Sequence, residues 1–176
     1  MKVSPDSSSY CDPSCKQLLP FPFPGTIPAS FQLDENGCFE YYGRSKFREL
    51  YRVATCMDRE VDPVCYFHGT VGAGKSRLLA ALTCLLMRQG MLVVFIPDCN
   101  DLLADPTGYV TAALEFAYSS KGLRPHLEAL HLPALDESTA LERLTQFCSH
   151  VAENTDRALF IVDQANALED AESETQ

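Results

Sequence analysis

The chain has 176 residues, 46% of them hydrophobic and 22% charged, which is room for one domain able to bury a core. Its net charge is −10, and the acid is weighted toward the second two thirds of the chain. That balance argues against nucleic-acid binding, which draws on clustered Lys and Arg to displace counterions. No apolar run approaches the ~20 residues of a membrane span. Met1-Lys2-Val3-Ser4-Pro5-Asp6 starts no apolar leader, so an intracellular location in cytoplasm or nucleus, without signal peptide or transmembrane segment, is the expectation.

Residues 1–39 read as a Pro-rich, largely disordered tail. Leu19-Pro20-Phe21-Pro22-Phe23-Pro24-Gly25 is too rich in proline for helix or central strand, and reads as a solvated linker or, alternatively, as a stretch that docks on the domain or on a partner. A domain is expected over 40–168 and an acidic frayed end over 169–176. Gly43 to about Arg59 reads as a helix, with Phe47, Leu50, Tyr51 and Ala54 on one apolar stripe and Arg44, Lys46, Arg48 and Arg52 on the outer face. After the break at Asp62-Pro63, Val64-Cys65-Tyr66-Phe67-His68 reads as a strand. Lys75 to Gln89 is a helix apolar almost all round, closed by Gly90. Met91 to Ile96 is an unbroken apolar run, as in a parallel strand covered on both faces. Thr107 to Ser119, Pro125 to Leu130 and Ser138 to Ala152 carry helical spacing, and Ala158 to Asp163 is a further buried strand. Strands alternating with helices predict an α/β fold with a parallel sheet.

The chemistry sits in three places. Gly69-Thr70-Val71-Gly72-Ala73-Gly74-Lys75-Ser76 matches G-x4-G-K-[ST] between an expected strand and an expected helix. Glycines let the backbone turn tightly and aim N–H groups at phosphate oxygens, and the positive helix end lies at the same point. Lys75 supplies a mobile cation for the β- and γ-phosphates, Ser76 a hydroxyl for Mg²⁺, and Arg77 continues the contact surface. The implied ligands are ATP and Mg²⁺. Leu159-Phe160-Ile161-Val162-Asp163 is an apolar strand ending in a carboxylate that can hold Mg²⁺ through water, and Gln164 follows it. Glutamine orients a water but is a poor base, so slow hydrolysis or binding without turnover is expected. Gly43-Arg44 opens the first helix and either packs beside the adenine and phosphates or is an ordinary turn with a surface arginine. Likewise, His68 reads as a packing histidine at a strand end or as a substrate contact, Asp98-Cys99 as either a ligand edge or a turn, and Cys65, Cys84 and Cys99 as core residues.

Phe67 to Leu82, Val93-Val94-Phe95-Ile96-Pro97-Asp98-Cys99 and Phe160-Ile161-Val162-Asp163-Gln164 together resemble the P-loop ATPase module of Crinkler-type proteins, relatives of the retrotransposon hot-spot proteins. Tyr42-Gly43-Arg44 resembles the Gly-Arg element of STAND-class, AAA+-related ATPases. The resemblance implies a three-layer P-loop NTPase, truncated after the Walker B strand, in which Gly69, Gly74, Lys75 and Ser76 bind phosphate and magnesium and Asp163 is the Walker B acid. A Leu-x-Leu-Phe-Leu-Ala-Lys translocation motif is not found near the start. An incomplete sheet is expected to favour self-association. Three functions stay open. One is an ATP-dependent switch with slow hydrolysis, one a small-molecule kinase, and one a non-catalytic remnant that binds protein partners.

Overall fold

The computed structural model describes residues 7–57, 64–70, 72–120 and 158–167. The chain is mixed α/β and divides into two compact units, Met1–Phe21 with Ala29–Gln89, and Pro22–Pro28 with Gly90–Gln176. The expected helices at 125–130 and 138–152, the break at 62–63 and the acidic end lie outside the described residues.

In the first unit a short helix, α1 (Ser8–Cys11), leads into β1 (Lys16–Pro20), which pairs antiparallel with β2 (Cys38–Tyr42). The register runs from Lys16 opposite Tyr42 to Pro20 opposite Cys38. The expectation of a disordered tail is therefore corrected. Gln17 and Leu19 of β1 and Phe39 and Tyr41 of β2 alternate inward, the period-two pattern that one buried sheet face requires. Pro20 is tolerated because it ends its strand. Phe21, Phe31 and Phe39 meet edge to face, with centroids 4.8–6.4 Å apart. The prolines thus punctuate a segment whose aromatics belong to the core.

Helix α2 (Lys46–Cys56) carries the expected stripe, with Phe47 and Ala54 buried and Leu50 and Tyr51 half-buried. Helix α3 (Lys75–Arg88) buries every residue from Leu78 to Leu86 and stops at Gly90, whose φ is 82°. That left-handed conformation suits glycine and ends the helix. Within this unit α3 lies on α2, β1 and β2. The Cys84 thiol donates to the Pro20 carbonyl at 3.1 Å, and Arg88 donates to the Tyr10 hydroxyl at 2.6 Å.

The stretch Val64–His68 does not form the expected strand. Val64 and Tyr66 are 62% and 72% exposed, and Cys65, expected in the core, is exposed too. β-propensity is a preference for a half-buried pleated surface. A five-residue apolar run needs a neighbouring strand to express it.

Gln17 is a local conflict. Its side chain is buried, yet among the described residues neither its amide nitrogen nor its oxygen has a hydrogen-bond partner. An unsatisfied buried amide costs about 1–3 kcal/mol. Gln17→Met, which keeps the length and removes the polar atoms, is expected to stabilise the chain by about 1 kcal/mol. A chemical denaturation curve checks this, and a loss of stability would mean that the amide has a partner in solution.

In the second unit β3 (Leu92–Ile96) is buried along its whole length and pairs in parallel with β4 (Ala158–Val162), Leu92 opposite Ala158 and Ile96 opposite Val162. Between them come α4 (Cys99–Ala104) and α5 (Pro106–Ser120). Helix α5 turns Tyr109, Ala113, Leu114, Ala117 and Tyr118 inward and packs on β3. Phe23 lies against Tyr109 with centroids 4.6 Å apart. Strand β4 is less covered than its sequence predicts. Only Ile161 is buried, and Phe160 and Val162 are each 40% exposed. Among the described residues β3 is its one neighbour.

Burial divides the thiols in reactivity. The Cys84 thiol is pushed up to about 12 by burial, against the opposing Arg88 charge. That of Cys99 is pushed up to about 11 by burial and by the Asp98 and Asp163 carboxylates. The thiolate is the reactive form, so neither is available near neutral pH. Maleimide labelling of the native chain with peptide mapping is expected to mark the exposed Cys56 and Cys65 and to spare Cys84 and Cys99. Rapid labelling of Cys84 would show that α3 is not buried.

Candidate functional site

The glycine loop is built by its own sequence. Gly72 and Gly74 have φ of 80° and 73°, left-handed values that a side chain strains. The Ala73 N–H donates to the Thr70 carbonyl at 3.2 Å, closing a turn, and Gly74 caps α3, where the Leu78 N–H returns to its carbonyl at 3.2 Å. The first turn of α3 holds no acidic residue, so the partial positive charge at the helix end is not offset there. Val71 lies outside the described residues.

Two cations converge on this loop. Lys75 folds back so that Nζ donates to the carbonyls of Gly69 at 2.6 Å and Thr70 at 2.9 Å. Arg44 donates from Nη1 to the Ala73 carbonyl. Its guanidinium stands 2.5–2.9 Å from the point a Cβ on Gly74 would occupy. Gly74 is thus favoured for its φ, whereas a Cβ there would only have to displace the far end of the exposed Arg44 side chain. Arg44 touches the loop from an exposed position. Ser76 and Arg77 follow on the first turn of α3, both half-buried. His68 is exposed and its ring faces that of Tyr66 at 6.1 Å, instead of packing in a core.

In the second unit, the carboxyl ends of β3 and β4 carry a polar cluster. The Asp163 N–H donates to the Ile96 carbonyl at 2.8 Å, which extends the parallel ladder by one bond. Asp163 is buried, its Oδ1 accepts the Gln164 N–H at 2.9 Å, and its carbonyl accepts the Cys99 thiol at 3.2 Å. Gln164 has a φ of 58°, an uncommon left-handed value for a residue with a side chain. Both ends of its amide are engaged: Nε2 donates to Asp98 Oδ2 at 3.2 Å, and Oε1 accepts from Asn100 Nδ2 at 3.2 Å.

Asp98 is also the N-cap of α4, accepting the Asn100 N–H at 2.9 Å. Its own N–H donates to the Tyr109 hydroxyl at 3.1 Å, and burial holds that phenol well above the usual tyrosine range. Asn100 and Tyr109 escaped the sequence reading. A cap signature, Asp98 two residues ahead of Asn100, was the available signal for the first; nothing local marks the second.

No family model matches this chain, and no curated protein or solved structure matches it either. The site therefore rests on its own geometry. Among the described residues, no three His, Cys, Asp or Glu side chains are grouped to hold a metal ion. Magnesium takes oxygen ligands and keeps several waters, and each unit by itself offers one oxygen donor of that kind, the Ser76 hydroxyl in the first and the Asp163 carboxylate in the second.

The engagement of Gln164 has a consequence for substitution. Gln164→Glu replaces the Nε2 donor by an oxygen within hydrogen-bond distance of the Asp98 carboxylate. Two carboxylates so close do not both ionise, and one pKa rises. The variant is expected to melt at a lower temperature and to release phosphate from ATP no faster than the parent. Adding Asp98→Asn is expected to restore the melt. A large rate gain in Gln164→Glu alone would show that the amide leaves Asp98 when nucleotide binds.

Proposed function

We propose that this chain is a MgATP-binding module of the P-loop NTPase class, with the three-layer α/β architecture of that class. In this reading it works as a nucleotide-dependent switch with slow hydrolysis. The observation that carries the reading is the pairing of two cations with the glycine loop at the N-terminus of α3. Lys75 and Arg44 are held on loop carbonyls, where a polyphosphate offers both better acceptors. In this reading the loop N–H groups and the helix end bind the phosphates, Lys75 and Arg44 neutralise them, and Ser76 meets the magnesium. Asp163 is a carboxylate suited to holding magnesium through water. Magnesium supplies charge neutralisation on the phosphate oxygens.

The bonding of Gln164 supports slow turnover. A residue whose amide is committed at both ends, and which is a poor base in any protonation state, activates water weakly. The resemblance to Crinkler-type ATPase modules supports the same class. A kinase reading has less behind it, since no arginine-rich lid is evident in the sequence.

Calorimetric titration of the purified chain with ATP and GTP, each with Mg²⁺, tests the proposal. Saturable binding of ATP, tighter than of GTP, is expected, because the sequence holds no Asn-Lys-x-Asp guanine-reading element. Absence of binding by either nucleotide at millimolar concentration overturns the reading. A turnover that depends on an added phosphate acceptor would assign the kinase function instead.

A further inference from the structure

We propose that the segment Tyr10–Cys15 braces the Gly43–Arg44 turn and so holds the Arg44 guanidinium on the phosphate loop. Docking of this segment and occupancy of the loop by a nucleoside triphosphate are then linked. The inference rests on the nucleotide reading of the loop and adds to it a control element that lies outside the loop.

The brace is made of backbone. The Tyr10 carbonyl accepts two hydrogen bonds, from the Arg44 N–H at 2.9 Å and from the Tyr41 hydroxyl at 3.0 Å. The Cys15 carbonyl accepts the Gly43 N–H at 3.1 Å. Between these two points the chain runs so close to Gly43 that a Cβ there would lie 2.2 Å from the Asp12 carbonyl oxygen and 2.7 Å from the Asp12 nitrogen. Backbone atoms cannot rotate aside as the end of a side chain can, so any residue but glycine at 43 must push the segment off.

The segment is in turn anchored from below. Tyr10 is fully buried, its ring stacks on Phe47 at 4.9 Å, and its hydroxyl accepts from Arg88. Burial outweighs that arginine and pushes the phenol up to about 12. Arg44 itself is exposed, and its bond to the Ala73 carbonyl alone does not anchor a long side chain. Its backbone is fixed instead, by Tyr10 and Cys15 on one side and by the start of α2 on the other, where the Phe47 N–H donates to the Arg44 carbonyl at 2.9 Å.

Gly43, Tyr10 and Tyr41 are thus positioning residues that act through Arg44. A ligand that engages Arg44 favours the docked segment, and by thermodynamic reciprocity the docked segment favours the ligand.

The test uses the full chain and two readouts. The first is titration with a fluorescent ATP analogue and Mg²⁺ in a double-mutant cycle of Gly43→Ala and Arg44→Ala. Gly43→Ala is expected to weaken binding about tenfold when Arg44 is present and less than about twofold when it is absent, since a shared route makes the effects non-additive. Equal penalties in the two backgrounds overturn the proposal. The second readout needs no nucleotide: hydrogen–deuterium exchange of the loop peptide around Ala73 is expected to speed up in Gly43→Ala. Tyr41→Phe, which removes one hydroxyl and leaves the ring in the core, is expected to shift both readouts the same way by about threefold, and it carries the test if Gly43→Ala does not fold. Should the parent chain fail to bind ATP, the proposed function falls, and exchange alone judges the brace. Unchanged loop exchange in both variants overturns it.

Discussion

Lys75→Ala is expected to weaken MgATP binding by at least about 100-fold, on the order of 2.7 kcal/mol. The Lys75 Nζ sits between the Gly69 and Thr70 carbonyls, two neutral acceptors of the loop it serves. A triphosphate replaces them with charged oxygens, and hydrogen bonds between charged partners are roughly twice as strong as neutral ones. Alanine removes that gain and also frees two carbonyls that repel the approaching anion. Arg44, which meets the loop at Ala73, already serves the phosphates in this reading and does not fill the place that Lys75 vacates. Lys75→Arg is expected to recover little, since a planar guanidinium does not fit a place shaped for a compact ammonium. Titration calorimetry decides the matter. Parent-like affinity in Lys75→Ala would remove the phosphate loop from the argument altogether.

Phe47→Ala is expected to cost about 3–5 kcal/mol, the range for deleting a buried aromatic ring. Phe47 is fully buried at the start of α2. It stacks on Tyr10, lies 6.1 Å from Tyr41, and runs nearly parallel to Tyr51 at 6.5 Å. Its loss opens a cavity between α1, β2 and α2 that rigid rings cannot close. A domain has only about 5–15 kcal/mol of stability in total. A drop in melting temperature of more than about 10 °C is therefore expected by circular dichroism. A cost below about 1 kcal/mol would show that the N-terminal segment does not pack on α2.

Both predictions depend on features that differ in how openly the sequence displays them. The glycine loop, α3 and β3 were legible because each has a local cause. Left-handed positions call for glycine at 72 and 74. Nine successive buried residues make α3 apolar on all sides, and Leu92-Val93-Val94-Phe95-Ile96 is a run bounded by Gly90 and Pro97. The pairing of β1 with β2 was not legible, because its cause is non-local. Lys16-Gln17-Leu18-Leu19-Pro20 becomes a strand only when Cys38-Phe39-Glu40-Tyr41-Tyr42 lies beside it, and the prolines that follow disguise the aromatics between. The opposite error occurred at Val64–His68, where apolar and aromatic residues suggested a strand that this structure does not form. At the site, Gly43-Arg44 could be named from sequence but not chosen between its two roles. Nor was Asp12 legible there, since it meets Gly43 through its backbone, which no side-chain pattern marks.

The long separation between the two parallel strands has a consequence for biosynthesis. Leu92 pairs with Ala158, so β3 leaves the ribosome well before its partner exists. With roughly 60 residues still to be made at about 5–20 residues per second, the interval is on the order of 3–12 s. By contrast β1 waits only for β2, some 20 residues on, which closes a far shorter loop. Among the described strands β4 is the one partner of Leu92-Val93-Val94-Phe95-Ile96, so the nascent chain carries that pairing edge open for seconds, long enough for a chaperone to bind it.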